Sequence, residues 1–291
     1  MTMVTKRFST AQGAIRFLEE LALKPNDRFY FRGQGDARWR IEHTYARHSP
    51  VPHATWKSDL NEMVRHFMNM VLSTGKPLPF SDEKDLSSRL EFARHHGLPT
   101  PVLDWSFSPY VAMYFAFNSI RSDSKGSCSI YALRLEGIAD IFARLASASP
   151  TGKPGPDYVT HYHRFFEGPD LSKGYPGGDL SFIAHPASWN VRMTRQMGSF
   201  IYDTLDYKSM GFRDFEDLLA KSAETPGPGD PQPSLYKINI PYSQAKRIFE
   251  RLDLAAITGT RLLDDYEGAV ADAKNAYVYN RKSGYYRDKP D

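Results

Sequence analysis

The sequence predicts an α+β fold, with N-terminal helices and a mixed or antiparallel β core. Segments with helical spacing of apolar residues come early, at 9–23, 54–73 and 83–96. Most alternating, strand-like segments come later, at 127–135, 181–184, 198–205 and 234–240. The chain also lacks an internal repeat, a phosphate-loop motif and a GxGxxG segment, which argues against a doubly wound α/β arrangement.

Each element has a local reason. Ser9 or Thr10 is placed to cap a helix that runs to about Leu23, with Ile15, Phe17, Leu18 and Leu21 inward. After a turn at 24–27, Phe29-Tyr30-Phe31 has strong β-propensity and delivers Arg32 at the end of a buried strand. Residues 54–73 carry Trp56, Leu60, Met63, Val64, Phe67, Met70 and Val71 at helical spacing, and 83–96 continue as helix. Gly97 and Pro99 stop that helix, Val102-Leu103 reads as a short buried strand, and Asp104 sits at its end. Ser106 or Ser108 caps the next helix, with Pro109 in its first turn. Further helices are expected at 137–147, 211–223, 242–252 and 266–279, with a loop at 225–233. Residues 148–180 are rich in Gly, Pro and Tyr and lack a period, so they read as an insertion or lid within one domain spanning 1–291.

Composition narrows the class. The chain is 41% hydrophobic and 13% aromatic, enough for a real core, and its net charge of +3 is too weak to mark a polyanion surface by itself. A single cysteine, Cys128, excludes a disulfide framework and a cysteine-based zinc site, and points to a reducing compartment. The stretch MTMVTKRFSTAQG has no apolar signal core and no run reaches membrane-span length, so the expectation is a soluble, cytoplasmic protein with no membrane partner.

Two segments concentrate chemistry. Phe29–Arg40, FYFRGQGDARWR, carries Arg32 into the fold, where a buried guanidinium requires an anionic or carbonyl partner, structural or from a ligand. Phe92–Phe115, FARHHGLPTPVLDWSFSPYVAMYF, gathers His95, His96, Asp104, Trp105, Ser106 and Ser108 around one strand-to-helix junction. Neighbours on a helix diverge by about 100°, so one histidine faces the site, and His96, next to Gly97, is the choice.

These segments resemble the FRG domain, which is named for its Phe-Arg-Gly motif. FYFRGQGD, the following Arg47 and HHGLPTPVLDWSFSPYVAMYFA match that family's first two motifs in order and spacing. NVRMTRQMGSF at Asn190–Phe200 is similar to its R-x-x-x-Q-x-G-x-F segment, and LDDYEGAVAD, near Asp264–Asp272, is a weaker echo. Arg94 stands where Gln is usual, and Pro101 where Arg is usual. The motif order is similar to that of ADP-ribosyltransferases of the Arg-Ser-Glu type, so an arrangement like theirs is a candidate for the β core.

That resemblance implies a transferase-like effector that consumes NAD as its substrate by a dissociative ribosyl transfer, in the setting of a toxin–antitoxin pair or antiphage defence. The acceptor would be a nucleic acid or a protein, and an antitoxin or chaperone would restrain the toxin. Arg32, Gly33, Gln34, Trp105, Ser106 and Ser108 would hold NAD, while Asp104, Gln196 and His96 would serve the chemistry. Gln196 stands where the type has a Glu, so the anion that steadies a ribosyl cation would be Asp104. Two alternatives remain: a nucleic-acid or nucleotide binding module without chemistry, and a metal-independent nuclease with His96 as base.

Each residue also has a structural alternative. Arg32 has Asp36, Glu91 or Asp104 as a pairing partner, Asp104 a capping role, Trp105 a place in the core and Gln196 a bond to a backbone edge. In YVTHYHRFF, His161 and His163 would share one face of a strand, but without a carboxylate beside them no metal site is expected; Tyr158 and Tyr162 are candidates for base stacking.

Overall fold

The computed structural model describes residues 3–25, 27–48, 56–80, 86–118, 120, 125–147, 157–167, 180–184, 189–221, 233–263 and 266–279. The strands are β1 (Met3–Arg7), β2 (Phe29–Gln34), β3 (Val102–Ser106), β4 (Ser127–Arg134), β5 (Leu180–Ile183), β6 (Gly198–Asp203) and β7 (Leu235–Pro241). The helices that pack on them are α1 (Ala11–Ala22), α2 (Thr44–His48), α3 (Trp56–Ser73), α4 (Leu86–His95), α5 (Pro109–Phe117) and α6 (Leu135–Ala146). They are followed by α7 (Tyr158–Arg164), α8 (Val191–Arg195), α9 (Phe215–Lys221), α10 (Ala245–Leu254), α11 (Gly259–Leu262) and α12 (Tyr266–Tyr279). The class is α+β.

The strands form one sheet in the order β1-β7-β4-β2-β3-β6-β5. β1 pairs parallel to β7, and every other described pair is antiparallel. One junction is nearly open. β2 pairs with β4 along its whole length, from Phe29↔Arg134 to Gln34↔Ser129, and β3 with β6 from Val102↔Tyr202 to Ser106↔Gly198. Between β2 and β3 the pairing is confined to Phe31 and Ser106. Beyond that point the two strands splay, and the sheet has a split in its middle.

Strand alternation distributes three apolar clusters around this split. Phe29 and Phe31 of β2 join Ile130, Ile238 and Ile240 under α1, α5 and α10. Val102, Phe200 and Tyr202 pack with Leu60, Val64, Leu90 and Phe92 of α3 and α4. The partnership of Phe31 with Ser106 puts these two clusters on the same side of the sheet, one on each bank of the split. The other side carries Tyr30, Leu103, Trp105 and Tyr131 against α6, α7 and α9.

Thr10 caps α1 by accepting from Gly13, and Ser108 caps α5 by accepting from the Val111 N–H at 3.4 Å. Gly97, at φ +84, ends α4 in the left-handed region. The strand β1 and the helices α2, α8 and α11 were not foreseen. These helices are four or five residues long, too short to show a 3.6-residue period, and β1 is a half-exposed edge strand whose MVTKR carries little apolar signal. Within 148–180, the described residues 157–167 hold α7 in place of an aperiodic loop, and Phe165 is fully buried. That helix packs on α6, on the side of the sheet away from α4 and α5, so its described part does not cover the Arg32–Asp104 region. His161 and His163 are on this helix and not on one face of a strand. The remaining residues of 148–179, and the 225–232 part of the expected loop, lie outside the described residues. Among the described residues no helix is long and apolar enough to cross a membrane.

Candidate functional site

The split opens into a cleft of about 450 Å³. Its banks are α5 on one side and α2, α4 and α8 on the other, with β2, β3 and residues 35–40 at its base. Splaying leaves the Asp104 carbonyl without its ladder partner from β2. Arg32 supplies one: its Nη1 donates to the Asp104 carbonyl oxygen at 2.8 Å and lies 3.9 Å from the carboxylate. Of the three structural partners open to Arg32, Asp104 is the one it meets; Asp36 is held by Arg38, and Glu91 accepts from Asn190 Nδ2 at 2.7 Å. The Arg32 side chain is 16% exposed, and its Nε is buried with no hydrogen-bond partner among the described residues. Burial pushes the guanidinium down to about 10; Asp104 opposes the shift, and Arg94 and Arg47 add to it. It remains a cation at neutral pH.

Asp104 is the cleft carboxylate that Arg32 and Arg94 meet. Arg94 grips it with both arms of its fork, Nε reaching Oδ1 at 2.5 Å and Nη2 reaching Oδ2. Burial raises its carboxyl, but the Arg94 charge and hydrogen bond, helped by Arg32 and Arg192, outweigh burial and hold it below the usual carboxylate range. The cleft wall thus carries Arg32, Arg40, Arg47, Arg94 and Arg192 against Asp104 and Glu91. Arg40 is tied to Asp214, with Nη2 at 2.6 Å from Oδ1, and Arg192 approaches Glu267 at 3.5 Å. Arg47 has no carboxylate partner among the described residues. An excess of guanidinium over carboxylate in a concave site suits a phosphate-bearing anion.

Gly33 lines the cleft but has a packing reason: a Cβ there would lie 2.0 Å from the Ala112 carbonyl oxygen and 2.6 Å from the Ala116 nitrogen, so α5 rests directly on β2. Gln34 is 8% exposed, donates from Nε2 to the Arg40 carbonyl at 3.3 Å, and keeps a buried Oε1 with no partner among the described residues.

Of four further expected groups, Trp105 and Ser106 contribute to the cleft lining, whereas Ser108 and His96 do not. Trp105 contributes to the cleft lining but is 2% exposed, and its ring packs in the cluster under the sheet. Ser106 lines the cleft, but its hydroxyl donates to the Gln196 carbonyl at 2.7 Å and accepts from the Ser108 N–H, which shapes the turn into α5. Ser108 is the cap of α5 and does not line the cleft. His96 is exposed beside the cleft wall, edge-on to Phe92 at 4.5 Å, whereas His95, one position earlier at the end of α4, lines the cleft. Neighbouring residues at the helix end diverge as expected, and it is His95, not His96, that reaches the cleft lining.

Gln196 lines the cleft, yet its Nε2 donates to the Leu262 carbonyl at 3.0 Å, the backbone-edge bond that was its structural alternative. That bond seats α11 against the corner between α8 and β6.

Glu91, Asn190 and Arg192 were missed as cleft residues, and Arg94 was noted only as a departure. Glu91, Arg94 and His95 stand three and four apart on α4, a spacing that puts them on one helix face and was available in the sequence. Asn190 is the N-cap of the five-residue α8 and Arg192 lies within it, a helix too short to show a period. Among the described residues no group of three or more His, Cys, Asp or Glu is placed to hold a metal ion.

No curated protein and no solved structure matches the chain. Residues 27–125 match the family model of the FRG domain, a span that contains Arg32, Arg94 and Asp104.

Proposed function

We propose that the cleft binds NAD through its bridging diphosphate and that the chain acts as an ADP-ribosyltransferase-like effector. The observation that carries this reading is a buried arginine, Arg32, in contact with a carboxylate that its surroundings keep ionised, at the base of one cationic cleft. Arg32 and Arg47 would take the phosphates. The bond from the ribose anomeric carbon to the nicotinamide nitrogen would break with its electron pair leaving on nicotinamide. Asp104 would stabilise the positive charge on the ribosyl group until an acceptor oxygen, from water, nucleic acid or protein, attacks and gives up its proton to solvent. Consumption of NAD or modification of such an acceptor would be toxic inside a cell, which agrees with a toxin or antiphage role and a cytoplasmic location.

A second reading, nucleotide binding without turnover, is favoured by the engagement of both Asp104 oxygens with Arg94 and of the Gln196 amide with Leu262. The nuclease reading finds His96 outside the cleft.

Incubation of the purified chain with NAD tests the proposal. Released nicotinamide is measured alongside calorimetric binding of NAD and ADP-ribose. Nicotinamide release that disappears in Asp104→Asn while NAD binding persists supports the transferase reading. Binding without release selects the module. Absence of binding at millimolar ligand ends both.

A further inference from the structure

Arg94 and Asp104 form a closed fork-to-carboxylate pair, and both side chains line the cleft. The charged groups that face this carboxylate come from several elements: Arg32 on β2, Arg47 on α2, Glu91 and His95 beside Arg94 on α4, and Arg192 on α8. Arg40, on the segment after β2, is anchored to Asp214. Of these cations, Arg94 is the one whose bidentate face is spent on Asp104. A phosphate offers a guanidinium fork a pair of acceptor oxygens as a carboxylate does, and a diphosphate carries two charges where Asp104 carries one.

We infer that Arg94 is a positioning residue that a phosphate-bearing ligand draws away from Asp104, so that ligand binding and proton uptake at Asp104 are coupled. The inference rests on the reading of the cleft as a phosphate site. A phosphate drawn in by Arg32 and Arg47 competes for the Arg94 fork. Once Arg94 turns to it, Asp104 keeps the looser approach of Arg32, at 3.9 Å, and the more distant charge of Arg192, and gains a neighbouring anion. Both changes favour the protonated acid. The carboxylate would then be free of its clamp only when a ligand is bound, which protects the cleft from offering an uncovered acid to water or to cations.

The test is calorimetry of the full chain with ADP-ribose, whose diphosphate diester keeps its charge in mildly acidic solution. Titrations at about pH 5, near the carboxylate range, and at about pH 7 are repeated in buffers of different ionisation enthalpy. The expected result is proton uptake on binding at the lower pH, absent in Asp104→Asn, retained in His95→Asn, and accompanied by roughly tenfold weaker binding in Arg94→Gln. Uptake that persists in Asp104→Asn or vanishes in His95→Asn overturns the inference and assigns the proton to another cleft group, to His95 in the second case. Should Asp104→Asn fail to fold, the His95→Asn and Arg94→Gln titrations decide, and unchanged affinity with unchanged uptake in Arg94→Gln overturns it. Binding by the wild type without uptake sinks the coupling but leaves the phosphate site standing. No binding at all removes both.

Discussion

Asp104 and Asp203 lie on the neighbouring strands β3 and β6, and their surroundings push them in opposite directions. Asp104 is 36% exposed, is gripped by Arg94 and approached by Arg32, and is held below the ordinary carboxylate range. Asp203 is 2% exposed and has no cation paired with it among the described residues. It accepts from the Tyr207 hydroxyl at 2.7 Å and the Leu205 N–H at 3.2 Å. Burial pushes its carboxyl up to about 6 despite those bonds. Asp203 is a structural acceptor that ties the chain after β6 to its strand. Asp104 is kept charged by cations that would repel one another without it. Burial alone therefore does not separate the two roles; the convergence of guanidinium groups does.

The largest expected effect is the pH dependence that belongs to Asp203. Its folded value is raised, so the folded chain holds the proton while the unfolded chain releases it between about pH 4 and about pH 6. Stability is lost as pH rises through that window, by up to about 3 kcal/mol. Urea unfolding across the window should show this fall in the wild type and not in Asp203→Asn. A wild type that is flat there removes the contrast between the two acids.

Next in size is Arg32→Lys. Lys lacks the bidentate fork, so affinity for NAD or ADP-ribose should drop about 10- to 100-fold while the melting temperature moves by only a few degrees. A large drop in melting temperature with unchanged affinity of the folded fraction would make Arg32 a purely structural bond to the Asp104 carbonyl.

Asp104→Asn should cost about 1–2 kcal/mol at neutral pH, because two partly buried guanidinium groups lose their carboxylate. Here the sign is reversed. A depressed carboxyl contributes stability that is present above the usual carboxylate range and lost as pH falls through its folded value. Wild type and variant should therefore converge in acid below about pH 4, as followed by unfolding at decreasing pH. Divergence in acid would mean that Asp104 is not the ionised partner.

The smallest effect is expected at His96, which is exposed and off the cleft. His96→Ala should change stability by less than about 0.5 kcal/mol and leave ADP-ribose affinity unchanged, whereas His95→Ala should change affinity several-fold. Equal loss of affinity in both variants would place the cleft wall differently.

Much of the fold could be read from long periodic segments. α1, α3, α5 and α10, and the strands β2, β4 and β7, carry enough apolar repeats to declare their type. What could not be read was the split between β2 and β3. Pairing register depends on where strands meet in space, and neither Phe31 nor Ser106 signals that they are the last matched pair. The same limit applies to the site. Arg32 and Asp104 were legible as chemistry-bearing residues of two strands, but both were expected at strand ends, and the structure continues β2 to Gln34 and β3 to Ser106, so they meet across the split from within their strands. The engagement of Ser106, Ser108 and Gln196 was not legible, because their partners are backbone groups that any sequence would offer.

The contact between Gly33 and α5 makes the helix a spacer. α5 is tied covalently to β3 through residues 106–108, while its body rests on β2 at Gly33 with no side chain between them. The thickness of a bare backbone contact thus sets how far apart the two banks stand. A methyl at position 33 would act as a shim, levering β2 from β3 and widening the mouth without altering a single charge inside it. The aperture and the electrostatics of the cleft are separately adjustable, and the glycine of the Phe-Arg-Gly triplet controls the first as the arginine beside it controls the second.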